Sequence, residues 1–311
     1  MIRRTVEFST PGTRLSVANS QLVVERPDHP KATLPIEDLG VVIVDDIRAT
    51  YTQSVFLSLL DAGATVLVTG RDHLPAGMML PLDAHHAQTE RHRAQVEAGA
   101  PVRKRVWQAI VRAKITQQAT VLSHFTGSHG GLAPMARRVR SGDPDNLEAQ
   151  AAQRYWPRLF GKAFRRDRGA EGVNALLNYG YAVVRAAVAR GVVATGLIPS
   201  LGVHHRHRGN PFCLADDLLE PYRPYVDWRV RQMAGKDGKS APDLTVRETR
   251  AELLSLLNET VHAGGRREPL LLAIHTSAAS LCRTLTGGDL SLALPEGLPV
   301  ETDPSDAPET G

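Results

Sequence analysis

Three histidines crowd one short loop of this 311-residue chain, Gly202-Val203-His204-His205-Arg206-His207-Arg208-Gly209-Asn210-Pro211. Gly and Pro at its borders make it a loop of the kind that carries function on a rigid scaffold, or a solvated basic loop that contacts phosphate. Carboxylates follow at once, in Leu214-Ala215-Asp216-Asp217-Leu218-Leu219-Glu220-Pro221. On a helical turn Asp217 and Glu220 stand three apart and share a face, so both can point at one cation. Pro221 lacks an amide donor and requires a helix that starts or kinks there. Asp216 or Asp217 is then equally readable as an N-cap. A third acid, Glu148, lies in Ser141-Gly142-Asp143-Pro144-Asp145-Asn146-Leu147-Glu148. Asp143 before Pro144, or Asp145 three residues ahead of Glu148, marks a helix start, so Glu148 reads as a capping-box partner or as a ligand.

One imidazole with two or three carboxylates suits a hard divalent cation, Mg²⁺ or Mn²⁺, with the imidazole favouring Mn²⁺. Zinc suits the set less, because oxygen donors dominate and cysteine is absent from it. On a basic protein such an ion implies phosphodiester chemistry. Basic it is: the segment 289–311 holds six acids and no Lys or Arg, leaving 27 acids against 37 bases before it, a formal charge of +10. That surplus favours a polyanionic partner. The acidic, proline-rich segment 289–311 is expected to be disordered. No apolar stretch is long enough to span a membrane and no signal-like block opens the chain, so a cytoplasmic protein is expected. Cys213 and Cys282 match no metal or redox spacing and read as small reduced core residues.

These side chains need elements to carry them. Short apolar runs at 22–24, 41–44 and 65–68 predict strands, and Gln53 to Asp61 predicts a helix between the last two. This resembles a strand-helix-strand unit without any glycine fingerprint. Pro75, Gly77 and Pro81 predict a linker. Beyond it the period becomes helical: Trp107, Ile110, Val111 and Lys114 open one amphipathic stretch, and Leu177, Tyr181, Val184 and Val188 another. Tyr179 reads as core, with Gly180 allowing close helix approach. If the segment after Trp156 is helical, Arg158, Lys162 and Arg165 share one face and Trp156, Phe160 and Phe164 the other, although Pro157 and Gly161 interrupt it.

Several stretches, in order, resemble the CRISPR-associated "Cas one" adaptation integrase/endonuclease family in its type II form. They are Lys104 to Val111, Lys114 to Ala119, Ser141-Gly142-Asp143 leading to Asn146-Leu147-Glu148-Ala149, Leu177 to Ala182, Gly196 to Pro199, and His204-His205 running to Asp217-Leu218-Leu219-Glu220-Pro221-Tyr222-Arg223-Pro224. The resemblance implies an α+β chain, with a β-sandwich-like dimerisation domain over 1–80 in place of a nucleotide-binding unit, then an all-helical catalytic domain over 81–288. It implies catalytic metal ligands Glu148, His205 and Glu220, assisted by Asp217, holding Mn²⁺ or Mg²⁺; His205 is chosen over His204 for its place three residues after Gly202.

The implied partners are double-stranded DNA, as donor fragment and CRISPR array, a second copy of the chain, the small "Cas two" dimer in a heterohexamer, and other type II CRISPR proteins. The implied reaction is attack of a donor 3′-hydroxyl on a phosphodiester at the leader-repeat boundary. Phosphate-contacting candidates are Arg103, Lys104 and Arg105, then Arg137, Arg138 and Arg140, then Arg158, Lys162, Arg165 and Arg166, each equally readable as solvated surface. The alternatives are a structure-selective nuclease using water, a catalytically silent DNA scaffold, and a homologue serving a mobile element.

Overall fold

A computed structural model describes residues 3–167, 169–235, 240–287 and 289–299. The strands come first: β1 (Arg4–Phe8), β2 (Arg14–Ala18), β3 (Gln21–Glu25), β4 (Ala32–Pro35), β5 (Leu39–Val44) and β6 (Thr50–Tyr51). Helix α1 (Gln53–Asp61) leads to β7 (Thr65–Thr69) and β8 (Pro75–Met79). The predicted strands and helix are all present, and β5, α1 and β7 form a parallel strand-helix-strand unit.

Two four-stranded sheets result, ordered β1-β5-β7-β8 and β4-β3-β2-β6. Every residue of β5 is buried, and successive side chains of a strand face opposite ways. Val42 and Val44 join Leu15, Leu22 and Val24 of the second sheet in one core, whereas Val41 and Ile43 enter the core of the helices. The first sheet thus lies between the second sheet and the helical part, covered on both faces as a largely parallel sheet must be.

The expected linker at 75–81 is instead edge strand β8, antiparallel to β7. Pro75 is tolerated because it is the first residue of an edge strand, where its missing N–H costs no ladder bond.

The helices are α2 (Gln88–Glu97), α3 (Ala100–Thr126), α4 (Leu132–Arg138), α5 (Leu147–Leu159), α6 (Val173–Ala194), α7 (Cys213–Leu219), α8 (Arg223–Met233), α9 (Arg247–Ser255) and α10 (Leu270–Leu285). Long α3 buries Trp107, Ile110, Val111, Lys114, Ile115, Gln118, Val121 and Leu122 at spacings of three and four, one continuous stripe. Leu177, Tyr181, Val184 and Val188 of α6 are all buried. A Cβ at Gly180 would meet Val226 Cγ1 at 2.4 Å, so glycine lets α6 and α8 touch. No helix among the described residues is long and apolar enough to cross a membrane.

The second part is not all helical. Strands β9 (Thr260–Ala263), β10 (Arg266–Pro269) and β11 (Pro295–Glu296) make a small antiparallel sheet. Gly264 and Gly265, both at positive φ (55° and 77°), close the β9-β10 hairpin, which is the backbone a two-residue turn between twisted strands demands. Strand β11 also corrects the disordered reading of the acidic segment: Glu296 pairs with His262, Leu294 is buried, and the Ser277 hydroxyl bonds the Ala293 carbonyl. The rest of that segment, 300–311, lies outside the described residues. Both cysteines are free and buried, as expected.

Candidate functional site

Glu148 opens α5, and its freedom to act depends on who caps that helix. Asp143, with φ 49°, turns its carboxylate onto the helix start, accepting the Leu147 amide at 2.9 Å and the Glu148 amide at 3.0 Å. Asp145 is held by Arg140 through two bonds of 3.0 and 2.8 Å. Capping therefore falls to Asp143, and the Glu148 side chain is released toward α3.

Glu220 follows α7 in a single 3₁₀ turn, Glu220–Tyr222, before α8 resumes at Arg223. Pro221 sits in the first positions of that turn, where the lost amide donor costs nothing. The turn rotates Glu220 away from Asp217, so the two acids serve different partners.

Lys114 of α3 joins the two glutamates. Its ammonium lies 2.5 Å from Glu148 Oε1 and 2.5 Å from Glu220 Oε2. Arg223 Nε donates to Glu220 Oε1 at 2.9 Å. Burial raises the cost of charging Glu220, but the Arg223 and Lys114 cations outweigh it and hold its pKa at about 2. Burial likewise opposes the Lys114 charge, and the two glutamates more than reverse that, raising its pKa. Two cations thus balance two carboxylates in a buried cluster. Among the described residues no three His, Cys, Asp or Glu side chains stand close enough together to chelate one ion, and the charge the two glutamates share is that of the lysine.

Asp217, expected to assist with the cation, is fully buried and engaged elsewhere. Its Oδ2 accepts the Val203 and His204 amides at 2.6 and 3.1 Å, and its Oδ1 accepts the His205 amide at 3.0 Å and meets His205 Nδ1 at 2.7 Å. It is the peg on which the histidine loop hangs. Gly202 is part of this fit, because a Cβ there would lie 2.4 Å from His205 O and 2.8 Å from Asp217 Oδ2. Asp216 pairs with Arg185 and accepts from Asn210 at 2.6 Å, so neither aspartate caps α7.

The two neighbouring histidines differ sharply. His204 lies flat on Trp107, ring centroids 4.0 Å apart and planes 1° from parallel, and burial lowers its pKa. His205 is 40% exposed, and its bond to Asp217 raises its pKa against the effect of burial. With Nδ1 tied to a carboxylate, His205 turns its other nitrogen outward, the orientation a ligating imidazole needs. The donor chemistry fits a hard divalent ion: two carboxylates already meet at one positive charge, and Glu220 Oε2 is buried and accepts no hydrogen bond of good geometry.

His205 and His207 line a cleft of about 650 Å³ with Arg166, Arg185, Arg223 and Asp216. Arg185 is paired with Asp216 and Arg223 with Glu220, and with Arg166 the lining stays net positive, which favours a polyanion. Of the phosphate-contacting candidates, only Arg166 reaches this cleft; it bonds Asn174 at 2.9 Å and Asn178 at 2.5 Å and lies over the Tyr181 ring. Lys104, Arg105, Arg137, Arg138, Arg140, Arg158, Lys162 and Arg165 are exposed outside it, and Arg103 is half-buried with its Nε enclosed. Arg158, Lys162 and Arg165 do not share a helical face: α5 ends at Leu159, and Gly161 at φ 95° turns the chain. The aromatic half of that expectation survives as a cluster, with Phe160 and Phe164 centroids 4.9 Å apart and Trp156 beside both.

Lys114, Arg223 and Trp107 are the site residues that sequence reasoning passed over. A signal existed for the lysine, a charge placed on the apolar stripe of α3, which requires a buried carboxylate partner.

Comparisons with known proteins bear on the family and the fold. The family model described as CRISPR associated protein Cas1 matches residues 7–261. A CRISPR-associated endonuclease Cas1 of Neisseria meningitidis serogroup C is 37% identical over 93% of this chain and 95% of its own length. A relative of the same description from Pyrobaculum aerophilum is 28% identical over 88% and 96%. Among solved structures, a casposase bound to integration product superposes with a TM-score of 0.76 at 20% identity, covering 93% of this chain and 92% of that one. A Cas1 protein from Thermotoga maritima gives 0.71 at 17%, covering 93% and 99%. A Cas6-RT-Cas1–Cas2 complex chain gives 0.71 at 16%, covering 94% of this chain and 36% of that one. The chain belongs to the Cas1 family of CRISPR-associated proteins.

Proposed function

We propose that this protein is a metal-dependent DNA integrase of CRISPR adaptation, inserting foreign DNA fragments as new spacers. The observation that carries the reading is the meeting of Glu148 and Glu220, 72 positions apart, at one positive charge, with Glu220 close enough to His205 to act on its charge and His205 lining a basic cleft. Glu148, His205 and Glu220 would hold Mn²⁺ or Mg²⁺. When bound, that ion supplies Lewis-acid polarisation of the scissile phosphate and stabilises charge on the attacking and departing oxygens. Asp217 fixes the tautomer and direction of His205, a positioning role in place of the ligand role expected for it. Arg166, Arg185 and Arg223 give the cleft the charge to hold a DNA backbone, which sets register and leaves sequence choice to other contacts.

A donor 3′-hydroxyl attacks a phosphodiester at the leader-repeat boundary, forming one P–O bond as another breaks and releasing a new 3′-hydroxyl. No nucleotide is hydrolysed, so the step is reversible. Residues 1–80 would serve as the dimerisation part of a homodimer, and two such dimers on a central dimer of the small Cas2 partner would give a heterohexamer. Relatives named as endonucleases, a casposase solved with integration product, and a Cas1–Cas2 assembly support this reading.

The test is a joining assay with the purified protein, the Cas2 partner, Mn²⁺ and a supercoiled array plasmid, comparing donors that end in 3′-hydroxyl and in 3′-deoxy. Joining with the first and none with the second is expected. Strand cutting that persists with both donors, without joining, would replace the integrase by a nuclease.

A further inference from the structure

The two glutamates that the proposed function gives to a divalent ion are already occupied by a group of the protein itself. We infer that Lys114 is an exchangeable internal cation, holding Glu148 and Glu220 together before the divalent ion arrives and competing with that ion for both carboxylates. The inference rests on the metal-site reading above and adds to it a residue that sets how tightly the ion is held.

Geometry comes first. The Lys114 ammonium contacts one oxygen of each glutamate at 2.5 Å, and its side chain is 9% exposed. Neither contact is available to a second cation while the lysine remains. Charge comes next: Lys114 and Arg223 neutralise Glu148 and Glu220, so a divalent ion added without displacement would set four positive charges against two negative ones in a buried space. That arrangement is strongly disfavoured at low effective dielectric. One cation has to leave, and the two differ in how they are held. Arg223 is anchored by a directed bond to Glu220 Oε1 and by the Tyr181 ring under its guanidinium, 4.7 Å from the centroid. Lys114 is a compact ammonium on a flexible four-carbon stem, with one hydrogen bond, to Glu148 Oε1, and only a charge contact without good hydrogen-bond geometry to Glu220 Oε2. The lysine is the one built to move.

The consequence is a site that folds with its carboxylates paired and that gives way to a divalent ion only above a threshold concentration. The test measures binding, not turnover. Full-length wild type, Lys114→Met and Glu148→Gln are titrated with Mn²⁺ alone, following free ion by electron paramagnetic resonance. Lys114→Met is expected to bind Mn²⁺ about tenfold or more tightly than wild type, since a cation beside the ion is gone. Its melting temperature without Mn²⁺ should fall and should rise more on Mn²⁺ addition than that of wild type. Equal or weaker binding by folded Lys114→Met overturns the inference while leaving the metal site standing. If wild type and Lys114→Met both lack a site that Glu148→Gln removes, the functional reading fails with it. Should Lys114→Met not fold, wild type alone decides: amine acylation read by mass spectrometry should find Lys114 protected without Mg²⁺ and labelled with it, and unchanged protection at saturating Mg²⁺ overturns the inference.

Discussion

Among the described residues, two of the buried ionic clusters use the same charges to opposite ends. At the joint between strands and helices, Arg250 is 3% exposed and pairs with Glu7 at 2.8 Å and Asp45 at 2.9 Å. The same guanidinium donates to the carbonyls of Leu244 at 2.9 Å and Thr245 at 2.8 Å. Asp45 also takes the Thr69 hydroxyl and His73, and Tyr179 donates to Glu7. Every direction is filled, and the arginine's planar fork fixes the geometry. At the candidate site a lysine holds two glutamates by charge, and Glu148 and His205 remain 27% and 40% exposed. The joint is closed and permanent; the site is balanced yet open on one side. An arginine fork fills the joint; at the site a lysine bridges two glutamates and Arg223 holds one of them.

Breaking the joint should cost most. Arg250→Met leaves Glu7 and Asp45 buried without their cation, and a loss of about 3–5 kcal/mol in urea unfolding is expected. A loss below about 1 kcal/mol would show that the joint is no bolt.

Next comes Asp227, beneath the site, which accepts from Tyr181 and whose pKa burial lifts to about 7 against the charges of Arg223 and Lys114. A carboxyl raised on folding gives stability that is complete below its unfolded value, near pH 4, and is lost as pH rises through about 7. The stability of wild type should therefore fall between about pH 4 and pH 8, by about 4 kcal/mol from this group, and Asp227→Asn should flatten the curve. An unchanged slope in the variant contradicts the assignment.

Asp217→Ala strands three loop amides and frees the His205 ring, with an expected loss of about 1–3 kcal/mol and a weaker Mn²⁺ site. Unaltered Mn²⁺ affinity in a folded variant would show that the loop peg does not position the ligand. Comparable in size is Trp107→Leu, which removes the ring under His204 and leaves a cavity in the buried stripe of α3, costing about 2–3 kcal/mol in urea unfolding.

Much of this was legible in the chain because local pattern and burial agree. The short apolar runs at 22–24, 41–44 and 65–68, the helix over 53–61 and the stripe from Trp107 to Lys114 each carry a local pattern that matches the element and the burial found there. What was not legible depends on distant partners. Spacing put Asp217 beside Glu220, but three backbone amides of 203–205 claim its oxygens, and no local pattern announces a loop folding back on a helix. The helix start at 141–148 left capping open between Asp143, Asp145 and Glu148; Arg140 settles it by taking Asp145. Strand β11 was missed because two residues gain their strand character only from β9. The Gly264-Gly265 hairpin, by contrast, was written in the sequence and went unread.

If Glu148, His205 and Glu220 together hold a divalent ion, counting bound Mn²⁺ per chain decides it. Wild type and the variants Glu148→Gln, His205→Asn and Glu220→Gln, each shown folded by circular dichroism, are titrated with Mn²⁺ under electron paramagnetic resonance. One ion per chain is expected in wild type, with loss or strong weakening of that ion in all three variants. Retention of the same ion at wild-type affinity in any of the three would remove that residue from the site, and retention in all three would contradict the account.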